Sequence, residues 1–172
     1  MKESTIKTSH AKTPGRRSAG RAQRNPVIDP YQAQQKLNEP TTCRQCGAVY
    51  HQGRWQWGEA PTGVHKDLCP ACRRINDKLP AGVIALHGNI APEVKAQISH
   101  LARNVETAEN SEHPLNRIIG FEETEEGLMI STTDIHLPRR IGEALRRAFH
   151  GEIEMYFDDG GYFMRVDWHA PL

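Results

Sequence analysis

Apolar and polar positions change their rhythm twice along the chain. Val83-Ile84-Ala85-Leu86 is a short apolar run bounded by Gly82 and Gly88, which predicts a buried strand. Val94, Ile98, Leu101, Val105 and Ala108 then recur at helical spacing, with Pro92 in the first turn. Arg117 to Phe121 and Leu128 to Thr132 read as a strand pair around the acidic turn Glu122 to Gly127. From about His136 to Phe149 the period returns to helical. Leu137, Ile141, Ala144, Leu145, Ala148 and Phe149 fall on one arc, and Arg139, Arg140, Glu143, Arg146, Arg147 and His150 on the other. Ile153 to Phe157 and Tyr162 to Trp168 predict a closing hairpin across Asp159-Gly160, a strong turn signal.

Strand, helix, strand, strand, helix, strand with one extra C-terminal strand is the ferredoxin-like split βαβ order. The expected fold class is therefore α+β: a ferredoxin-like βαββαβ domain over residues 80–170, with both helices on one face of an antiparallel sheet. RNA-recognition domains share that order, but no aromatic run of their kind lies on the expected central strands.

Before Pro80 the pattern is too poor in apolar residues to fold unaided. Val49, Tyr50, Trp55, Trp57, Val64 and Leu68 offer a thin covering, and Arg54-Trp55-Gln56-Trp57 alternates as a short strand with both indoles on one face. The same segment holds all four cysteines of the chain, as Cys43-Arg-Gln-Cys46 and Cys69-Pro-Ala-Cys72. A two-residue gap lets both sulfurs of a pair reach neighbouring corners of one tetrahedron, and two such pairs complete it. Gly47 suits the positive-φ turn of the first knuckle, and Pro70 sets the second turn or opens a helix. Cys43, Cys46, Cys69 and Cys72 are thus expected to bind one structural Zn2+ and to form a module over residues 41–79. Four thiolates leave no open position for an activated water, and metal binding supplies folding energy.

Iron is the alternative. Cys43-x-x-Cys46-Gly47-x-x-Tyr50 with Cys69-Pro70-x-Cys72 resembles the two loops of a rubredoxin, a one-iron electron carrier. The chain departs from that pattern at Arg73, where the family has a second glycine. Arg73 to Leu79 reads instead as a short basic helix leaving the second knuckle, in a zinc-ribbon or treble-clef-like arrangement.

Charge adds a partner. Residues 1–26 carry seven Lys/Arg against Glu3 alone, a net of +6; the rest of the chain, with fifteen basic and twenty acidic side chains, has a net of −5. The segment 1–26, with Arg16, Arg17, Arg21 and Arg24, is expected to be a disordered basic tail, and 27–40 a linker with Tyr31 and Leu37 as docking points. A polycationic arm attracts phosphate backbones. Arg54, Arg73, Arg74 and the arginines of the second helix (Arg139, Arg140, Arg146, Arg147) are the expected ordered contacts for RNA. A protein partner is the alternative. No apolar run is long enough to cross a bilayer and no nucleophile–base pair stands out. The expectation is a cytoplasmic, non-enzymatic protein with no membrane contact and no small-molecule substrate.

Asp29-Pro30-Tyr31, Cys43 to Trp57, Leu68 to Asp77, His113-Pro114-Leu115 and Thr132 to Leu145 together resemble a family of small bacterial zinc-ribbon proteins of no known activity. More distantly, a thiolate zinc module followed by an α+β domain is similar to part of the archaeal and eukaryotic adaptor for export of large ribosomal subunits. That likeness implies a ribosome- or RNA-facing role and carries over no residues beyond the cysteine pairs.

Overall fold

A computed structural model describes residues 29–31, 37–158 and 160–171. The tail residues Arg16, Arg17, Arg21 and Arg24 lie outside them.

The cysteine-bearing segment forms a small four-stranded sheet in the order β3-β2-β1-β4, from β1 (Thr41–Cys43), β2 (Val49–His51), β3 (Arg54–Gln56) and β4 (His65–Asp67). β4 runs parallel to β1; the other pairs are antiparallel. Helix α1 (Pro70–Asp77) follows at once, with Cys69 as its N-cap and Pro70 in its first turn. Lys78 ends it in the left-handed region at φ 53°. The indole pair divides. β3 stops at Gln56, so Trp55 packs on the cysteine cluster, while exposed Trp57 donates its Nε1 to the Asn110 carbonyl at 2.5 Å.

Beyond Pro80 the elements are β5 (Gly82–His87), α2 (Pro92–Asn110), β6 (Ile118–Thr124), β7 (Gly127–Thr132), α3 (His136–Phe149), β8 (Glu152–Phe157) and β9 (Met164–His169). The sheet order is β6-β7-β5-β9-β8. One expectation is corrected here: the sheet is mixed, because β9 lies parallel to β5. The last strand inserts beside β5 and leaves β8 on the outer edge. What the placement achieves is burial. In that place Met164, Val166 and Trp168 of β9 are almost fully enclosed against the helices, whereas β8 on the edge presents mainly exposed side chains although it is no less apolar in sequence.

Two turns also differ from the sequence pattern. Strand β6 runs on through Thr124, which leaves only Glu125-Glu126 in the acidic turn. The expected closing hairpin forms, but β9 starts at Met164 rather than Tyr162, so its connection runs from 158 to 163. Asp158 N–H donates to the Phe163 carbonyl at 3.1 Å, and the Asp158 carboxylate accepts from Tyr162 and Phe163 N–H. Asp159 itself lies outside the described residues.

Cross-strand rows explain the core. Ile130, Ile84 and Val166 stand side by side, as do Leu128, Leu86 and Trp168. Both rows pack on Ile98 and Ala102 of α2 and on Leu137, Ile141 and Leu145 of α3. α2 and α3 therefore cover one face, as the helical arcs require. Gly142 matters for that packing. A Cβ there would stand 2.7 Å from Ile153 Cδ1 and 3.0 Å from Val166 Cγ1, so the glycine lets α3 settle on β8 and β9.

Candidate metal centre and the cleft beside it

The four thiols come from two local structures. Cys43 ends β1 and Cys46 sits in the following turn. Gly47, at φ 81°, returns the chain so that its N–H reaches the Cys43 carbonyl at 2.9 Å and Cys43 N–H reaches Ala48 at 2.7 Å. Cys69 and Cys72 occupy the cap and first turn of α1, where Cys72 N–H donates to Cys69 Sγ at 3.4 Å. The second pair thus opens a helix.

All four sulfurs lie within 4.8 Å of one another, and Cys46 Sγ stands 3.7 Å from Cys69 Sγ. Tetrahedral bonds of about 2.3 Å place neighbouring sulfurs about 3.8 Å apart, so the spacing suits a tetrathiolate ion. It is far from a disulfide bond of about 2.05 Å. Cys43, Cys69 and Cys72 are at most 1% exposed, and Cys46 is half-buried.

The electrostatics ask for a cation. Burial pushes the Cys72 thiol up to about 11 against a hydrogen bond with Cys69, and Cys69 higher still; charge repulsion from the neighbouring sulfurs raises both. At Cys43 burial also opposes ionisation. N–H groups of Cys46, Cys69 and Gln45 outweigh it and lower the thiol to about 6. Four sulfurs packed so closely in an apolar shell cannot all ionise without a positive ion among them. The donor set accepts a soft or borderline metal such as zinc or iron.

The second module reaches into this centre. Leu115 packs on the cysteine cluster and Arg117 Nη1 donates to Cys72 Sγ at 3.4 Å. The loop is held in turn by Thr133 at the end of β7. Its hydroxyl donates to the Leu115 carbonyl at 2.6 Å and accepts from Arg117 N–H at 3.0 Å. Sequence spacing gave no sign of Arg117. It reads as the first residue of a strand, a lone cation 45 residues from the sulfur it meets.

A cleft of about 920 Å³ opens where the modules meet, with Tyr31, Tyr50, Trp55, Asn116, His136 and Tyr162 among its walls. Tyr31 docks by donating its hydroxyl to Asp77 at 2.7 Å and lies under the Arg74 guanidinium at 4.3 Å. Asp134 borders the cleft and caps α3, its Oδ2 accepting from His136 and Leu137 N–H at 2.7 and 3.1 Å. Its Oδ1 is buried without a partner among the described residues. Burial raises the Asp134 carboxyl against the pull of those N–H groups.

The ordered arginines have varied surroundings. Arg54 is exposed on β3. Arg73 lies on α1, its N–H bonded to the Cys69 carbonyl at 3.0 Å and its guanidinium gripping both Asp67 oxygens at 2.8 Å. Arg74 is 5% exposed and pairs with Asp29 at 2.6 Å. On α3, Arg139 pairs with Glu143 at 2.9 Å and Arg140 with Glu109 at 3.4 Å. Arg146 and Arg147 are exposed there with no carboxylate partner among the described residues.

The sheet face away from the helices carries a second polar group that sequence patterning missed. Asp167 is held by Arg165 Nε and Nη2, each at 2.7 Å, and by His87 Nε2 at 2.7 Å, and the His87 and His169 rings stack at 4.7 Å. The Arg165 bonds, and less strongly His87, hold the Asp167 carboxyl below its ordinary range despite burial.

No protein-family model matches this sequence, and no curated protein matches it. What the fold and site define is an α+β protein with two mixed sheets and a four-cysteine cluster of metal-binding geometry. No helix among the described residues is long and apolar enough to cross a membrane.

Proposed function

We propose that the chain is a non-enzymatic adaptor, stabilised by one structural Zn2+, that binds RNA and works on the ribosome in the cytoplasm. The observation that carries the non-catalytic reading is the closed set of four sulfurs, which leaves a bound ion no free position for substrate or water. Zinc is favoured over iron by Arg73. Its N–H is spent inside α1 on the Cys69 carbonyl, where a rubredoxin-like loop would use a glycine to turn N–H groups toward sulfur. The layout of knuckle, hairpin and ligand-bearing helix is that of a treble clef, and the second module is a ferredoxin-like sheet with an inserted strand.

RNA is the partner that charge supports. Seven cations in residues 1–26 offer salt-sensitive affinity, and exposed Arg54, Arg146 and Arg147 offer ordered phosphate contacts. Arg139 and Arg140 join them where phosphate competes with Glu143 and Glu109. The test is sedimentation of the full chain with ribosomes at rising salt, beside a variant lacking residues 1–26. The full chain should co-sediment at low salt and be released as salt rises. Loss of all seven cations should flatten the log–log salt slope by up to about five, at about 0.7 per single-strand phosphate contact. Absent or salt-indifferent co-sedimentation would reject the RNA reading, and stoichiometric iron in the purified protein would reject zinc.

A further inference from the structure

The two edges of the five-stranded sheet are built differently. On β6 the pairing register shifts between Ile118 and Gly120, an irregularity that discourages another strand from adding on. Exposed glutamates are common to both edges, Glu122 and Glu123 on β6 and Glu152 and Glu154 on β8. β8 has neither bulge, proline nor lysine, and its register with β9 is unbroken from Glu152 to Phe157. Of the five large exposed apolar side chains among the described residues, three are consecutive on β8: Met155 at 36%, Tyr156 at 50% and Phe157 at 59%.

A groove runs beside that edge. Gly142 brings α3 close to Ile153, but Met155 and Phe157 further along the strand are left half-covered. The groove, of about 390 Å³, has Ile153, Met155 and Phe157 along one side and Arg139, Glu143 and Arg146 on the other. Its floor is apolar and its wall has a net positive charge.

We propose that the edge of β8, unpaired among the described residues, and this groove take an extended acidic segment of a partner protein, added to the sheet as a sixth strand. The unpaired backbone groups of β8 would supply the ladder, and alternate side chains would supply the choice of partner. On the helix side the segment places apolar residues over Met155 and Phe157 and carboxylates toward Arg139 and Arg146. On the other side it runs beside Glu152, Glu154 and Tyr156, so uncharged or basic residues belong there. A second copy of the chain fits less well. Joining β8 to β8 with all helices on one face would set two α3 surfaces side by side, each with four arginines against Glu143. RNA also fits less well, since Glu152 and Glu154 flank the same edge.

The test uses the metal-loaded full chain and an array of synthetic peptides of about nine residues. Threonine stands at odd positions and Val, Leu, Phe, Asp or Glu at even ones; a matched array has Lys for the acids. The best acidic peptides should bind at least about tenfold more tightly than their Lys counterparts. Arg146→Glu should weaken them by about tenfold or more, and so should N-methylation of alternate peptide amides, which removes ladder donors without changing a side chain. Phe157→Ser, at an exposed position, should also weaken binding while leaving the melting temperature unchanged. Bound peptide should slow amide exchange on β8. The proposal falls if acidic peptides show no preference, if N-methylation is harmless, if a dimer that Phe157→Asp dissociates already occupies the edge, or if an RNA oligonucleotide displaces the peptide.

Discussion

Replacing Arg117 by alanine tests whether the second module helps to hold the metal. The guanidinium donates to Cys72 Sγ at 3.4 Å from a half-buried position. A hydrogen bond to a charged acceptor contributes about 1.5–3 kcal/mol, and partial exposure with a soft sulfur acceptor points to the lower end. About 1.5 kcal/mol corresponds to roughly a tenfold loss of zinc affinity, within the range for partners of metal ligands. Competition with a chromogenic chelator at fixed pH measures it directly. Arg117→Lys keeps charge without the planar fork and should recover part of the loss. Amide exchange over residues 113–117 gives a second readout, because the loop should loosen in Arg117→Ala even with zinc in excess. Zinc affinity indistinguishable from the parent chain would refute the link between the modules.

Three further perturbations address separate parts of the fold. Cys72→Ser should abolish stoichiometric metal binding and unfold the 41–79 module, since a structural zinc ion would supply folding energy of the order of 10 kcal/mol, while the Trp168 core still melts cooperatively; one shared loss of both by NMR would contradict that. Gly142→Leu should lower stability by about 1–3 kcal/mol, because its side chain must displace Ile153 and Val166; a stabilised variant in thermal melts would show the contact to be slack. Asp134→Asn keeps the cap on α3 and removes a carboxyl that burial raises above its unfolded value. The native aspartate therefore stabilises most in its protonated form, below the ordinary carboxylate range, and that contribution fades as pH rises. The variant should be the more stable protein at neutral pH and lose its advantage in acid, as denaturant melts across pH would show.

Local pattern and tertiary pairing explain which parts of the fold were legible. Helix α3 begins and ends where its apolar arc predicts, at His136 and Phe149, because one face must meet the sheet and the half-buried Asp134 fixes its start. The cysteine cluster was equally legible, since two C-x-x-C pairs carry their geometry in their spacing. The central place of β9 was not. Asp159-Gly160 signals a turn, but no local signal says which strand of a hairpin will lie inside; the long-range parallel pairing of β9 with β5, which buries Val166 and Trp168, sets that. Arg74 marks a similar limit. On α1 it reads as one more surface cation, yet the chain returns Asp29 and Tyr31 to it from 45 and 43 residues away.

The metal centre is joined to α3 by a continuous run of contacts. Cys72 accepts from Arg117, whose N–H bonds Thr133; Thr133 in turn fixes Leu115 against the cysteine cluster. The next residue, Asp134, caps the helix that bears Arg139, Arg140, Arg146 and Arg147. A ligand set that moved would therefore disturb the start of α3 and shift its basic face relative to Arg54 and α1. Under the adaptor reading this assigns the ion a second structural task. Besides folding a segment poor in apolar residues, it would hold the basic face of α3 at a fixed place relative to exposed Arg54, since Arg73 and Arg74 of α1 are taken up by Asp67 and Asp29. Phosphate groups at set spacings along a folded RNA are recognised through such fixed geometry, and a mobile tail adds affinity without it. The closed tetrathiolate set and the guanidinium on its sulfur then serve one end: rigidity where the partner is rigid.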